Sequence, residues 1–424
     1  MQSVELYTGA GGLALGICRA GFNHLAVVEL DTDSCKTIQE NKRRQVEGVH
    51  RWPVFNCDVR HFDFSSIPEG IELLAAGVPC QPFSIGGKHK GHSDERNLFP
   101  QTIEVIRRIR PLAVLLENVR GLLRPSFSKY FGYIELMLTY PELERRKDEQ
   151  WLEHLARLER YHTKGRREGL YYRVVHRILN AADFGVPQKR ERLFMVAIRA
   201  DLGIEWSFPS PSHSPESLLW QQYCSGEYWD GHGIPSRRRP QPDSELSQRI
   251  RTLKSRLIPP TLKPWRTVRD ATADLPKPLP MRTSDEPGLT HFSITGARSY
   301  VGHTGSPLDE PAKTLKAGVH GVPGGENMLA LPDGSVRYFT IRESARLQTF
   351  PDSFVFPNSW TESMRQIGNA VPVLLAESIA KKLKATLAHY THAGRSFQSV
   401  GQAESSRKSC RGNAEEASKS VASG

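Results

Sequence analysis

Over the first 199 residues, short and almost unbroken apolar runs alternate with amphipathic stretches. The runs Val4–Tyr7, Leu25–Glu29, Val54–Cys57, Glu72–Ala76, Leu112–Glu117, Tyr172–Ile178 and Leu193–Ile198 read as strands. Runs with so few polar positions are buried on both faces, as strands of a mostly parallel sheet are when helices cover each side. The expected fold class is therefore α/β, built from repeated strand–helix units. Between Tyr140 and Leu170 the chain turns highly charged, with Trp151, Leu155 and Leu158 at i, i+4, i+7 spacing. That spacing predicts a solvated helix with one docking face.

From about Ala200 to Val336 the periodicity fades, Pro, Ser and Gly become frequent, and cations cluster at Arg237, Arg238, Arg239, Arg249, Arg251, Lys254 and Arg256. Regular patterning returns at Thr340–Gln348 and Val373–Ala388. The expected organisation is one domain split in two, 1–199 and 337–392, around an inserted smaller, loop-rich domain at 200–336. Residues 393–424 are Ser-, Lys- and Glu-rich, the composition of a disordered tail.

Composition narrows the class. Of 424 residues, 38% are hydrophobic and 24% charged, which excludes wholesale disorder. No apolar run approaches the roughly 20 residues that cross a bilayer, and the N-terminus lacks a leader pattern, so neither a membrane nor secretion is expected. Six cysteines without CxxC or zinc spacing argue against a disulfide framework and against a metal site. A net charge of +11 favours a polyanionic partner, nucleic acid first.

Three constellations carry chemistry. The run Val4–Tyr7 is followed by Thr8-Gly9-Ala10-Gly11-Gly12 and a helical pattern from Leu13 to Ala20. Glycines there permit a tight strand-to-helix turn and close backbone approach to a ligand. Glu29, twenty positions after Gly9, ends the next apolar run, where a carboxylate can accept hydrogen bonds from ribose hydroxyls. A nicotinamide dinucleotide and S-adenosylmethionine both satisfy this pattern. Second, Glu72–Ala76 leads into Gly77-Val78-Pro79-Cys80-Gln81-Pro82-Phe83-Ser84. A cysteine between two prolines at the carboxyl end of a parallel strand lies where α/β crevices open, on a loop too fixed for a mere packing residue, and Cys80 reads as a nucleophile. The glycine-rich, cationic stretch that follows, through Lys88 to Arg96, suits a lid over an anionic substrate. Third, Glu117 ends an apolar strand, and Gln188-Lys189-Arg190-Glu191-Arg192 precedes another. Alternate residues of an extended segment share a face, so Arg190 and Arg192 are expected to point the same way, at a phosphate, a base or an anionic intermediate.

In this order the motifs resemble those of the C5-cytosine DNA methyltransferases. The glycine loop Glu5–Gly12, the nucleophile loop Pro79–Ser84, the acid motif Glu117-Asn118-Val119 and the arginine motif Gln188–Arg192 match the family's. So do Arg342–Pro351 and Gly368-Asn369-Ala370-Val371-Pro372 late in the chain, and Thr314-Leu315 is similar to a pair in the family's target-recognition region. Tyr7 stands where phenylalanine is usual, Leu30 where a larger residue is common, Val78 in place of a second proline or aromatic residue, and Asn97 where glycine is frequent.

The resemblance implies a Rossmann-like S-adenosylmethionine-dependent sheet and methyl transfer to C5 of a flipped-out cytosine in a short double-stranded DNA sequence. It implies Cys80, Glu117, Arg190 and Arg192 as catalytic residues. It places Tyr7, Gly9, Gly11, Gly12, Glu29, Asp58, Asn369 and Val371 at S-adenosyl-L-methionine, with no metal, and Gln81, Ser84, Lys88, Arg96 and Thr314 at DNA. A cytoplasmic, nucleoid-associated bacterial monomer of a restriction-modification system, with a cognate endonuclease, is the matching setting. An RNA cytosine-5 methyltransferase is the alternative; the long 200–336 region favours duplex DNA.

Overall fold

The computed structural model describes residues 1–79, 98–165, 167–255, 258–280, 290–301, 304–317 and 327–388. The seven expected strands all form, each bound within two residues of its apolar run: β1 (Gln2–Leu6), β2 (Asn23–Glu29), β3 (Val54–Asn56), β4 (Leu73–Gly77), β5 (Ala113–Val119), β6 (Tyr172–Asn180) and β7 (Glu191–Arg199). They make one sheet in the order β3-β2-β1-β4-β5-β7-β6. β1 to β5 run parallel, and β7 is reversed between β5 and β6. Strand order changes direction between β1 and β4, the switch point outside whose carboxyl ends an α/β sheet opens a crevice. Because β7 is reversed, its first residues lie at that same edge: Arg192 pairs with Val119.

Both faces are covered, which is why the strands tolerate so few polar residues. Val4, Leu6, Leu74, Val114 and Leu116 pack under α3 (Phe99–Ile109), α4 (Ser128–Thr139) and α5 (Trp151–Thr163). The predicted docking face of α5 is present: Leu155 and Leu158 are buried, with Trp151 packed beside them. On the other face, Leu73, Ala75, Leu115 and Val196 meet α1 (Gly12–Arg19) and the helix at 373–388. α2 (Thr32–Arg43) joins Trp52 and the late helices α10 (Ile341–Leu347) and α11 (Trp360–Asn369) in a third cluster. The two ends of the described chain thus pack together. A Cβ on Gly12 would stand 2.3 Å from the Val371 carbonyl, and one on Gly16 2.5 Å from the Ala376 Cβ, so these positions admit no side chain.

From 200 to 336 the described residues form short helices, α6 (Pro215–Trp220), α7 (Glu227–Gly231), α8 (Ser244–Lys254) and α9 (Val268–Thr272), with strand pieces of two or three residues. Two small clusters, around Trp229 and around Ile250, hold the helical part together. Among the described residues no helix is long and apolar enough to cross a membrane. The expected tail, 393–424, lies outside the described residues.

Candidate active site

A cavity of about 820 Å³ opens at the carboxyl edge of the sheet. One end is walled by Tyr7, Thr8, Gly9 and Ala10 after β1, Glu29 at the end of β2, and Asp58 after β3. The other end is walled by Gly77–Pro79 after β4, Glu117–Val119 of β5, and Arg192 of β7; Asn369 and Val371 border it as well. The volume is that of a site for one elongated small molecule beside a reacting group.

The first end is built around a carboxylate. Glu29 Oε2 accepts the Gly9 amide at 2.6 Å and Oε1 the Asp31 amide at 2.7 Å, so one side chain fixes both the glycine loop and the start of α2. Burial pushes the Glu29 pKa up, and those two amides oppose the shift. Two acceptances leave a carboxylate with lone pairs for two more donors, which suits a ribose. Gly9 has φ +57°, a conformation glycine adopts without strain, and no atom lies where its Cβ would stand. No side chain caps α1. Asp58 is held ionised by Arg60, which draws its pKa down to about 2, and it stays an acceptor at the cavity wall. Tyr7 lines the cavity with its ring and anchors its hydroxyl 3.3 Å from Thr102 Oγ1 on α3.

Two polar groups at this end were not legible as site residues. Glu5, fully buried on β1, borders the cavity with no side-chain partner for its carboxyl among the described residues. Burial raises its pKa well above the usual carboxylate range, tempered by the Ala14 backbone and reinforced by Glu29. Thr8 Oγ1 is buried and without a partner too. Orphaned polar atoms facing a cavity fit a polar ligand better than an apolar one, and so fit S-adenosylmethionine.

At the second end, Arg192 Nε lies 3.1 Å from Glu117 Oε1, both side chains largely buried. Burial raises the Glu117 pKa, while Arg192 and, less strongly, Arg190 draw it down. Glu117 pairs with Gly77 across β4 and β5, and Asn118 Nδ2 donates to the Val78 carbonyl at 3.3 Å. The acid strand therefore sets the backbone two residues before Cys80. Cys80 itself, with Gln81, Ser84, Lys88 and Arg96, lies outside the described residues; Pro79 lines the cavity.

Several of the expected site residues make contacts of their own within the fold. Arg190 immediately precedes β7, which begins at Glu191. Its guanidinium is fully buried and donates to the carbonyls of Leu315, Gly368 and Ala370. Gly11 and Gly12 are closely packed: a Cβ on Gly11 would stand 2.8 Å from the Trp52 ring, as one on Gly12 would stand 2.3 Å from the Val371 carbonyl. Thr314 gives its hydroxyl to the Lys189 carbonyl at 2.8 Å, which ties its segment to the arginine motif. Among the described residues no group of three His, Cys, Asp or Glu could hold a metal.

Comparison with known proteins is consistent throughout. The family model for C-5 cytosine-specific DNA methylase matches residues 1–140 and 147–385. The Type II methyltransferase M.Eco47II of Escherichia coli is 32% identical over 384 residues, 90% of this chain and 78% of that protein. The Type II methyltransferase M.NgoMIV of Neisseria gonorrhoeae is also 32% identical, over 385 residues, 90% of this chain and 96% of its own. Among solved structures, the fold is shared with a DNA modification methyltransferase encoded within an E. coli prophage (TM-score 0.51, 23% identity, 92% of this chain and 99% of that one). It is shared too with the S. pombe Dnmt2 methyltransferase (TM-score 0.52, 17% identity, 91% and 99%).

Proposed function

The chain belongs to the C-5 cytosine-specific DNA methylase family, and on that premise we propose that it methylates C5 of a flipped-out cytosine within a short duplex DNA sequence, as the methylase of a Type II restriction-modification system. The observation that carries this reading is the single cavity joining the Gly9–Glu29 cradle to the Glu117–Arg192 pair. A methyl donor bound at one end would share the cavity with a base bound at the other.

S-adenosyl-L-methionine supplies the methyl group. Glu29 would hold its ribose, Asp58 would accept from its adenine amino group, and Tyr7, Gly9, Asn369 and Val371, which border the cavity, would complete the wall. Cytosine C5 is a poor nucleophile until the Cys80 thiolate adds at C6, which turns the ring into an enamine whose C5 takes the methyl group. Glu117 supports that addition by placing a proton or hydrogen bond at N3, and its raised pKa favours the proton-bearing form. Arg192 orients the base and steadies charge at its exocyclic oxygen. Loss of the C5 proton to a base, water included, and elimination of the thiolate release 5-methylcytosine and restore Cys80. The target atom is inaccessible in a duplex, so the base leaves the stack at a cost of a few kcal/mol.

Bisulfite sequencing of host DNA from cells expressing the chain, beside a Cys80→Ser control in the same methylation-free host, tests this directly. Unconverted cytosines within one short sequence, absent from the control, are expected. Full conversion in both, with soluble protein present, overturns the reading.

A further inference from the structure

Besides Glu5, the carboxyl groups of Glu29, Asp31, Asp33 and Asp58 border the cavity at its first end. Arg60 binds Asp58, and Lys36 Nζ lies 2.9 Å from Asp33, so each of these has a cation from its own stretch of chain. The cation at Asp31 comes from α11 instead: Arg365 Nη2 donates to Asp31 Oδ1 at 2.9 Å. Glu362, one turn earlier on α11, aims that guanidinium by accepting Nε at 2.7 Å and Nη2 at 2.6 Å. Arg365 itself borders the cavity.

Asp31 joins this cation to the Glu29 carboxylate. Its Oδ1 also accepts the Ser34 amide at 2.7 Å, which caps α2, and its own amide is the one that Glu29 Oε1 accepts at 2.7 Å. Glu29 Oε2 in turn holds the Gly9 amide at 2.6 Å. Direct contacts therefore run from Arg365 through Asp31 and Glu29 to the glycine loop. The seam between α2 and α11 is closed a second time by Thr37, whose hydroxyl donates to Gln366 Oε1 at 2.8 Å.

Burial is the main cause of the raised Glu29 pKa, and the charge of Asp31 adds to it. Burial acts to raise the Asp31 pKa as well, but Ser34 and then Arg365 outweigh it and hold this carboxyl ionised. Two carboxylates two residues apart repel, and a guanidinium on the outer one relieves that repulsion. Without it, a bare Asp31 charge would press against Glu29 and turn away to solvent. We propose that Arg365 is a positioning residue for the cofactor: by meeting the charge of Asp31 it keeps that residue's amide on Glu29 Oε1, and so holds the Glu29 carboxylate toward the ribose. The role rests on the reading that S-adenosyl-L-methionine occupies this end of the cavity.

The test is titration calorimetry of the full chain with S-adenosylhomocysteine at low ionic strength, where half-exposed charges are least screened. Arg365→Met is measured in the wild type and again in an Asp31→Asn background, in which asparagine still caps α2 and keeps its backbone amide. In the wild type, Arg365→Met is expected to weaken binding by about three- to fivefold. In the Asp31→Asn background there is no charge for Arg365 to meet, and the same substitution is expected to cost less than about twofold. A merely structural Arg365 would lower the melting temperature and leave the affinity unchanged, and that result overturns the proposal. So does an equal loss in both backgrounds, because Arg365 would then act on the cofactor without Asp31. Should Arg365→Met fail to fold, Arg365→Gln, which keeps a donor and removes the charge, takes its place under the same expectations. A wild type that binds no S-adenosylhomocysteine sinks the cofactor reading itself, and the positioning role with it.

Discussion

Arg192 reaches Glu117 across the antiparallel β5–β7 pairing, with Nε 3.1 Å from Oε1, at the end of the cavity that Pro79 also borders. The guanidinium and the burial of the carboxyl act in opposite directions on the same proton, and burial is the larger effect. Glu117→Gln keeps a hydrogen-bond donor and removes the transferable proton. Single-turnover methylation is expected to slow by about 10²–10⁴-fold, with cofactor affinity and melting temperature close to wild type.

The same opposition predicts a pH profile. If protonated Glu117 is the working form, the rate falls as pH rises through its raised pKa. Arg192→Ala removes the group that draws this pKa down, so the alkaline limb of the residual activity moves to higher pH. A limb that stays in place or moves to lower pH contradicts the assignment.

Glu29 is bound by two loop amides and faces the cavity. Glu29→Ala strands both amides and removes the ribose acceptor. Calorimetry is expected to show S-adenosylhomocysteine binding weakened by about 10- to 100-fold, or about 1.4–2.8 kcal/mol, with the thiol reactivity of Cys80 unaltered.

Gly9 and Gly12 separate two uses of one residue type. Gly12→Ala drives a methyl group against the Val371 carbonyl, and a loss of about 1–3 kcal/mol in urea unfolding is expected. Gly9→Ala meets no atom but holds φ +57°, which costs about 1–2 kcal/mol in an L-residue. Because Gly9 rather than Gly12 lines the cavity, only Gly9→Ala is expected to weaken the cofactor beyond its effect on stability.

Glu5 makes the stability of the fold depend on pH. Its folded-state pKa lies well above the unfolded value of about 4.3. Its contribution to stability is therefore complete below that value and declines as pH rises toward the folded pKa, because the unfolded chain releases the proton first. The difference in unfolding free energy between Glu5→Gln and wild type should grow from pH 4 upward; a difference that is flat from pH 4 to 9 refutes a buried neutral carboxyl.

The strands and the glycine loop were legible because local pattern carries them. Two-sided burial demands unbroken apolar runs, so β1 to β7 appear wherever such a run does. Glu29 was legible for a similar reason, since its place follows from the length of one strand–helix–strand unit. The roles of Arg190, Gly12 and Glu5 belong to tertiary structure. Arg190 and Arg192 share a motif and the alternation that would put them on one face, yet Arg190 is claimed by carbonyls 125, 178 and 180 residues away. Gly12 looks like part of a ligand loop, and the Val371 carbonyl makes it a packing contact. Glu5 looks like an ordinary strand carboxylate, and only the packed sheet buries it completely. Periodicity reports what a residue's near neighbours require. The charge state and job of a buried polar group are set by atoms that chain folding brings from elsewhere.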